Sequence, residues 1–288
     1  MFLFKRVNDL RSYLQAERRL GRTVGFAPTM GALHEGHLSL LRRAGAENDL
    51  SVASIFVNPT QFNEASDLEK YPRTESKDVR LLLKVGCSAL FMPPVEEVYP
   101  PEGLESPAVD LAGLDTPLEG EHRPGHFQGV AQVVGRLLSI VEPDALYMGQ
   151  KDFQQFVIVR RLLQELRSPV RLVMGATVRE ADGLAMSSRN VRLSAEQRLE
   201  APRIFRTLER SRELCGRVGL PSIREMAWEE LSRPPFFQPE YFEIVDGYSL
   251  HPVQSLKDAS LVVACTAVRV GEVRLIDNLI LQGDPHLL

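Results

Sequence analysis

Short apolar runs alternate with segments of helical periodicity through the first two thirds of this 288-residue chain, and that order narrows the possible folds more than any single motif does. Residues 23–29, TVGFAPT, are an apolar run ended by Pro28, as expected of a strand buried in a parallel sheet. Residues 36–48 carry apolar side chains at helical spacing. Residues 50–57, LSVASIFV, then supply a strand rich in β-branched residues, stopped by Asn58-Pro59. The alternation repeats as a helix over 75–85, a strand in SALFMP, a helix over 127–141, a strand in ALYMG, a helix over 153–166 and a strand in VRLVMGATV. This βαβα order predicts an α/β fold with a Rossmann-like, doubly wound, mostly parallel sheet and helices on both faces. The pattern changes near Asp182-Gly183. A long helical segment over 195–215 and a shorter one around Trp228 precede YFEIVD, SLVVACTAV and EVRLID, which are joined by short polar connections. The chain is therefore expected to divide into a catalytic domain, residues 1–183, and a smaller C-terminal α+β domain with an antiparallel sheet, residues 184–288.

Charge and cysteine usage remove whole classes of function. A net charge of −4 and a pI near 5.9 argue against a nucleic-acid partner, which normally meets a basic excess, yet leave room for a local cationic pocket. Cys87, Cys215 and Cys265 are odd in number, far apart, and accompanied by no CxxC pair, so they read as reduced, buried thiols. The N-terminal MFLFKRVNDLRSYL lacks the long apolar stretch of a secretory signal. No apolar run approaches the ~18–20 residues needed to cross a bilayer. A soluble, cytoplasmic protein without a membrane partner is expected.

Five segments carry groups suited to phosphate chemistry. PTMGALHEGH, residues 28–37, lies between the first strand and the following helix, where the carboxyl end of a strand meets ligands in a doubly wound sheet. Gly31 and Gly36 permit close backbone approach, the helix start offers free N–H groups, and His34 and His37 fall on one side of a turn. Two imidazoles there can donate to a triphosphate as charge develops on its leaving group. The competing reading is a strand-to-helix turn whose histidines only cap the helix. VNPTQF, residues 57–62, offers the neutral amides of Asn58 and Gln61, although Asn-Pro is also ordinary turn chemistry. In LEGEHRPGHFQGV, Arg123 could bind an anion or simply belong to a loop. YMGQKDFQQ places Lys151 as a point charge for phosphate and Asp152 as a helix cap or a ligand for metal or ribose, with Gln155 one turn on. AMSSRN brings two hydroxyls and an arginine together beside the expected domain junction. Each segment alone is weak, and their convergence after the strand ends of one sheet is what carries weight.

PTMGALHEGH, VNPTQF, YPRT, RPGHF, GQKDFQQ and MSSRN, in this order, closely resemble the pantothenate synthetase (pantoate–β-alanine ligase) family, and the likeness extends to YFEIVD and RLIDN near the C-terminus. HEGH resembles the HIGH signature of the class I tRNA synthetase-like nucleotidyltransferases, with MSSR in the place of their lysine–serine loop. The resemblance implies a two-step, ATP-dependent reaction. Pantoate carboxylate attacks the α-phosphate to give pantoyl adenylate and pyrophosphate; β-alanine then displaces AMP and forms the amide.

Carried over by position, the resemblance implies ATP contacts from Met30, Gly31, Ala32, Leu33, His34, Glu35, Gly36 and His37. It implies further ATP contacts from Gly149, Gln150, Lys151 and Asp152, and from Met186, Ser187, Ser188 and Arg189, with Val178 against the adenine. His37 is the family's proton donor, and His34, Lys151 and Arg189 join it as catalytic residues. Gln61 and Gln155 would hold pantoate, with Asn58 supporting Gln61. Magnesium would bridge the β- and γ-phosphates; Lys77 interrupts the acidic pair some relatives carry, which leaves Asp78 as the protein ligand there. Family likeness also implies a homodimer. The C-terminal domain is expected to close over ATP and exclude water from the adenylate, with its hinge near Asp182-Gly183. Two rivals compete: a nucleotidyltransferase of the same superfold acting on a phosphorylated acceptor, and a non-catalytic nucleotide-binding scaffold. Neutral amides at VNPTQF and the paired glutamines suit a hydroxy acid over a phosphate ester, and intact phosphate-binding groups disfavour the scaffold.

Overall fold

The computed structural model describes residues 1–61, 69, 71–100 and 109–285. Phe62, the last residue of VNPTQF, lies outside them. Six strands build one fully parallel sheet in the order β1-β4-β3-β2-β5-β6: β1 Phe2–Phe4, β2 Val24–Thr29, β3 Leu50–Ile55, β4 Ala89–Phe91, β5 Ala145–Gly149 and β6 Arg171–Gly175. The helices longer than one turn that connect them are α1 Val7–Arg19, α2 Glu35–Glu47, α3 Glu75–Lys84, α4 His126–Val141 and α5 Phe153–Glu165. The sheet is covered on both faces, because alternate strand residues point opposite ways. Val24, Phe26, Val52, Phe91 and Leu146 join one cluster with residues of α1, α4 and α5. Ala27, Ala53, Leu90, Ala145 and Tyr147 join another with α2 and α3.

β1 and α1 were not expected from the sequence. β1 is only three residues long, too short for a pattern to register, and it sits at the sheet edge with Phe2 and Leu3 exposed. The expected helix over 195–215 is two helices, α6 Ala195–Glu200 and α7 Arg203–Leu214, divided at Pro202. Proline has no N–H for the ladder and tolerates only the start of a helix, so the break falls where the ring is acceptable.

After α8, Leu220–Ser232, the strands β7 Phe237–Asp246, β8 Val262–Val270 and β9 Val273–Gln282 form an antiparallel sheet in that order. One face of it, with Phe242, Ile244, Val262, Ala264 and Val268, packs on Leu184, Ile204, Leu208 and α8. Its other face, with Val245, Val263 and Cys265, merges into the core of the six-stranded sheet. The smaller sheet is thus sandwiched between its own helices and the larger unit.

Candidate active site

The strand order reverses between β2 and β5, and ligand crevices in such sheets open beyond the carboxyl ends at that point. A cavity of about 250 Å³ lies there, lined from the loops after β2, β3, β5 and β6 and roofed by β8 and β9. The structure brings Met30, His34, Gly36, His37, Asn58, Gln61, Gly149, Lys151, Asp152, Gln155, Val178, Met186, Ser187, Ser188 and Arg189 to its wall. A second cavity of about 280 Å³ shares Arg123, Lys151, Asp152, Ser187 and Arg189 and adds Arg192, Arg269 and Arg274.

The remaining site candidates stand elsewhere, for local reasons. Gly31, with φ +83°, and Ala32, with φ +49°, turn the chain out of β2 beneath the cavity, and Leu33 is buried in the core. Glu35 is exposed and paired with Arg42. Gln150 is turned toward Asn278, to which its amide donates at 3.2 Å. Asp78 corrects the expectation of a metal ligand. It is 1 % exposed, and its Oδ2 accepts the N–H of Ala32 at 2.9 Å. Its Oδ1 accepts the N–H of Leu33 at 2.8 Å and the hydroxyl of Thr74 at 3.1 Å. Both oxygens therefore hold the loop that carries His34 and do not face the cavity. Among the described residues, no three histidine, cysteine, aspartate or glutamate side chains converge on a possible metal position. Of the carboxylates lining the first cavity, Glu119 and Asp277 are tied to arginines, while Asp152 meets Lys151 at 3.3 Å.

The helix start differs from expectation too. His34 is the N-cap of α2, and its Nδ1 accepts the N–H of Gly36 at 3.2 Å. His37 reaches back so that its Nδ1 accepts the N–H of His34 at 3.3 Å. The rings lie 4.1 Å apart. Capping and cavity-lining were posed as rival roles, and the geometry gives these rings both. Burial, with Lys151 beside it, brings the pKa of His34 from 6.5 down to about 4; burial and then His34 bring that of His37 down to about 3. Both are neutral at pH 7.

Across the cavity Asn58, 1 % exposed, has no capacity left for a ligand. Its amide donates to Gln61 Oε1 at 3.3 Å and to the Gly129 carbonyl at 3.2 Å, and its oxygen accepts from Thr60 and Tyr99. It aims Gln61. Gly129 is required here, since a Cβ would stand 2.6 Å from the Thr60 carbonyl. His126, which the sequence reading passed over, completes this corner: Nδ1 donates to the Gln61 carbonyl at 2.9 Å and Nε2 accepts from Arg123 at 3.1 Å. Burial and Arg123 bring its pKa down to about 4. Gln154 is a buried structural group bonded to the carbonyls of Leu114 and Pro117, whereas Gln155 lines the cavity.

The smaller sheet is bolted to the site by residues to which the sequence reading gave no role. Asn278 donates to the carbonyls of Gln150 at 2.9 Å and Lys151 at 2.8 Å, fixing the turn that presents Lys151. Asp277 takes Arg179 in a two-pronged pair at 2.6 and 3.0 Å. Arg274 holds buried Glu119 at 2.6 and 2.8 Å and Glu240 at 2.7 Å, and Tyr241 donates to Glu119 at 2.8 Å. Residues 178–186 form a small hairpin, with Met186 N–H on the Val178 carbonyl and Gly183, φ +94°, at its tip. The place expected to hinge carries contacts of its own. Asp182 pairs with Arg198 at 2.5 Å, a Cβ on Gly183 would strike Phe205, and Arg179 stacks over that ring at 3.7 Å.

This geometry can be set beside known proteins. The pantothenate synthetase of Porphyromonas gingivalis W83 is 49% identical over 279 residues, covering 97% of this chain and 99% of that protein. That of Bacteroides thetaiotaomicron is 48% identical over 274 residues, covering 95% and 96%. The crystal structure of pantothenate synthetase from Thermus thermophilus matches with a TM-score of 0.91 at 43% identity, over 98% of this chain and 100% of that one. Pantoate-β-alanine ligase from Francisella tularensis, complexed with "beta-gamma ATP" and β-alanine, matches at 0.79 and 30% identity over 99% of both chains. The profile described as Pantoate-beta-alanine ligase runs from residue 2 to residue 280, and with relatives aligned over almost their whole lengths the chain belongs to that family.

Proposed function

We propose that this chain condenses pantoate with β-alanine at the expense of ATP, through a pantoyl adenylate, releasing pyrophosphate and then AMP. The observation that carries this reading is one cavity at the strand-order switch in which phosphate-suited donors from β2 and β5 face buried neutral amides from β3. A carboxylate is a poor electrophile. Its oxygen attacks the α-phosphorus, the bond to the bridging oxygen breaks, and charge accumulates on the departing pyrophosphate. His34, His37, Lys151, Ser187, Ser188 and Arg189 are placed to receive that charge, as prepositioned donors do. Gln61, aimed by Asn58, and Gln155 take the hydroxy acid without adding a charge that would compete for phosphate. In the second step the amine attacks the acyl carbon, the acyl–phosphate bond breaks with AMP as the leaving group, and the amine gives up a proton.

Val178 and Met186 offer an apolar seat for the adenine. Magnesium, when bound, would neutralise phosphate charge, and with Asp78 committed to backbone amides Asp152 is the cavity carboxylate that would help hold it. We read residues 1–183 as the catalytic domain, residues 184–288 as its lid, and the working form as a cytoplasmic homodimer. The rival transfer of a nucleotidyl group to a phosphorylated acceptor is disfavoured by the family and by those neutral amides. The test measures pyrophosphate and AMP released from magnesium–ATP. Pyrophosphate should require pantoate, and AMP should require β-alanine in addition. Pyrophosphate release driven by a phosphorylated acceptor and not by pantoate would overturn the reading.

A further inference from the structure

The start of α2 should attract phosphate through its own amides, yet three of its first four N–H groups are already engaged. Gly36 donates to His34 Nδ1, and His37 and Leu38 donate to the His34 carbonyl at 2.9 and 3.2 Å. Ahead of them, the His34 N–H donates to His37 Nδ1. A backbone N–H can only donate, so each Nδ1 must present a lone pair. A neutral imidazole with a bare Nδ1 carries its proton on Nε2. We propose that the cap of α2 locks His34 and His37 as neutral Nε2–H tautomers, so that the helix addresses its ligand through two imidazole donors instead of its own amides.

This deepens the ATP reading above and rests on it for the identity of the ligand, though not for the tautomers. Protonating either ring would set N–H against N–H within the cap. Lys151 and Asp152 are the charged groups that act on the pair, Arg189 acts in turn on Asp152, and the two rings lie 4.1 Å apart. Each relay runs from amide to Nδ1 and leaves Nε2–H as the free donor of a cavity-lining ring, so the amide polarises the donor it supports. His126 supplies the opposite case in the same cavity. Its Nδ1 faces a carbonyl and its Nε2 faces an arginine, which requires the Nδ1–H form. Backbone partners thus set three histidines in one site to two different tautomers.

Long-range ¹⁵N–¹H correlation spectra of the full chain at pH 7, without substrates, read this directly, with peaks assigned from His34→Asn, His37→Asn and His126→Asn. Nε2–H patterns for His34 and His37 beside an Nδ1–H pattern for His126 are expected. An Nδ1–H form or an imidazolium at His34 or His37 overturns the proposal, whatever reaction the cavity performs. Two substitutions then separate cap from donor. In His37→Asn the amide oxygen falls near the Nδ1 position and keeps the cap, but nothing reaches the cavity. In His37→Gln the amide N–H falls near Nε2 and the cap is lost. Pantoate-dependent pyrophosphate release should fall on the order of 10²–10³-fold in His37→Asn and less than about tenfold in His37→Gln, while the thermal midpoint should rank them the other way. The same ranking in both measurements overturns the donor role. Absence of pantoate-dependent release in the unaltered protein would instead sink the functional reading and leave the tautomer result standing.

Discussion

The wall of the cavity built from β2 and β3 and the wall bolted to the smaller sheet solve the same problem, fixing polar groups in a buried place, by opposite means. Around His34, His37, Asn58, Gln61 and His126 the fixing is done by neutral hydrogen bonds, mostly to backbone, with the histidines held uncharged. Around Glu119, Arg179, Arg274 and Asp277 it is done by ionised pairs with little exposure. The difference follows from what each wall must meet. Groups suited to a polyanion should present donors without a competing countercharge, whereas a joint between two sheets needs strength and direction.

The largest expected effect breaks the ionised wall. Arg274→Ala strands buried Glu119 without its guanidinium, while Glu240 keeps Arg269, and losing one partner of a buried pair typically costs about 3–5 kcal/mol. Denaturant unfolding should report a loss of that size. Replacing Glu119 and Arg274 together by apolar residues of similar volume should recover most of it. A single Arg274→Ala loss below about 1 kcal/mol would mean the pair is solvated and the contrast between the walls is false.

How far each wall could be read from sequence follows the same division. The neutral wall was legible because its residues cluster in contiguous motifs: PTMGALHEGH, VNPTQF and GQKDFQQ each sit at one strand end, and the parallel sheet brings those ends together. Even there, the loop role of Asp78 was hidden, since nothing in TESKD says that its carboxylate faces amides 45 and 46 residues earlier. His126 was visible in RPGHF, but its neighbour Arg123 drew the functional reading. The ionised wall was scarcely legible. Glu119 and Arg274 are 155 residues apart and Arg179 and Asp277 are 98 apart, and ordinary charged residues carry no mark of their partners. The fold itself was readable from period and order, except where β1 is too short for a pattern and Pro202 divides one apparent helix into two.

Asp78 sharpens the comparison as a buried carboxylate that behaves like the neutral wall, with amide and hydroxyl donors on its oxygens. Asp78→Asn sets an amide N–H against a backbone N–H, and leaving such a buried donor unsatisfied costs about 1–3 kcal/mol. Turnover should fall with the loosened His34 loop, while the magnesium concentration for half-maximal rate stays where it was. A marked rise in that concentration would restore Asp78 as a metal ligand and overturn the structural reading of its hydrogen bonds.

Acidification acts gradually, at most about 1.4 kcal/mol per group for each pH unit, and it separates the walls by pH window. The folded pKa values of His34, His37 and His126 lie at about 4, about 3 and about 4, below the ordinary 6.5. Below 6.5 the unfolded chain takes up protons that the folded chain refuses. Stability from these three is therefore complete above about pH 6.5 and declines as the pH falls toward 4. Glu119, which Arg274 holds below the usual carboxylate range against the upward push of burial, contributes in the same direction but only from below its ordinary 4.5. The thermal midpoint should thus begin to fall near pH 6.5, above the ordinary carboxylate range. His126→Asn, which removes one of the three refusing groups, should flatten that upper segment and leave the decline below pH 4.5 unchanged. A midpoint flat from pH 7 to 5 would mean that the histidines bind protons freely in the folded protein, and the neutrality of their wall would fall with that result.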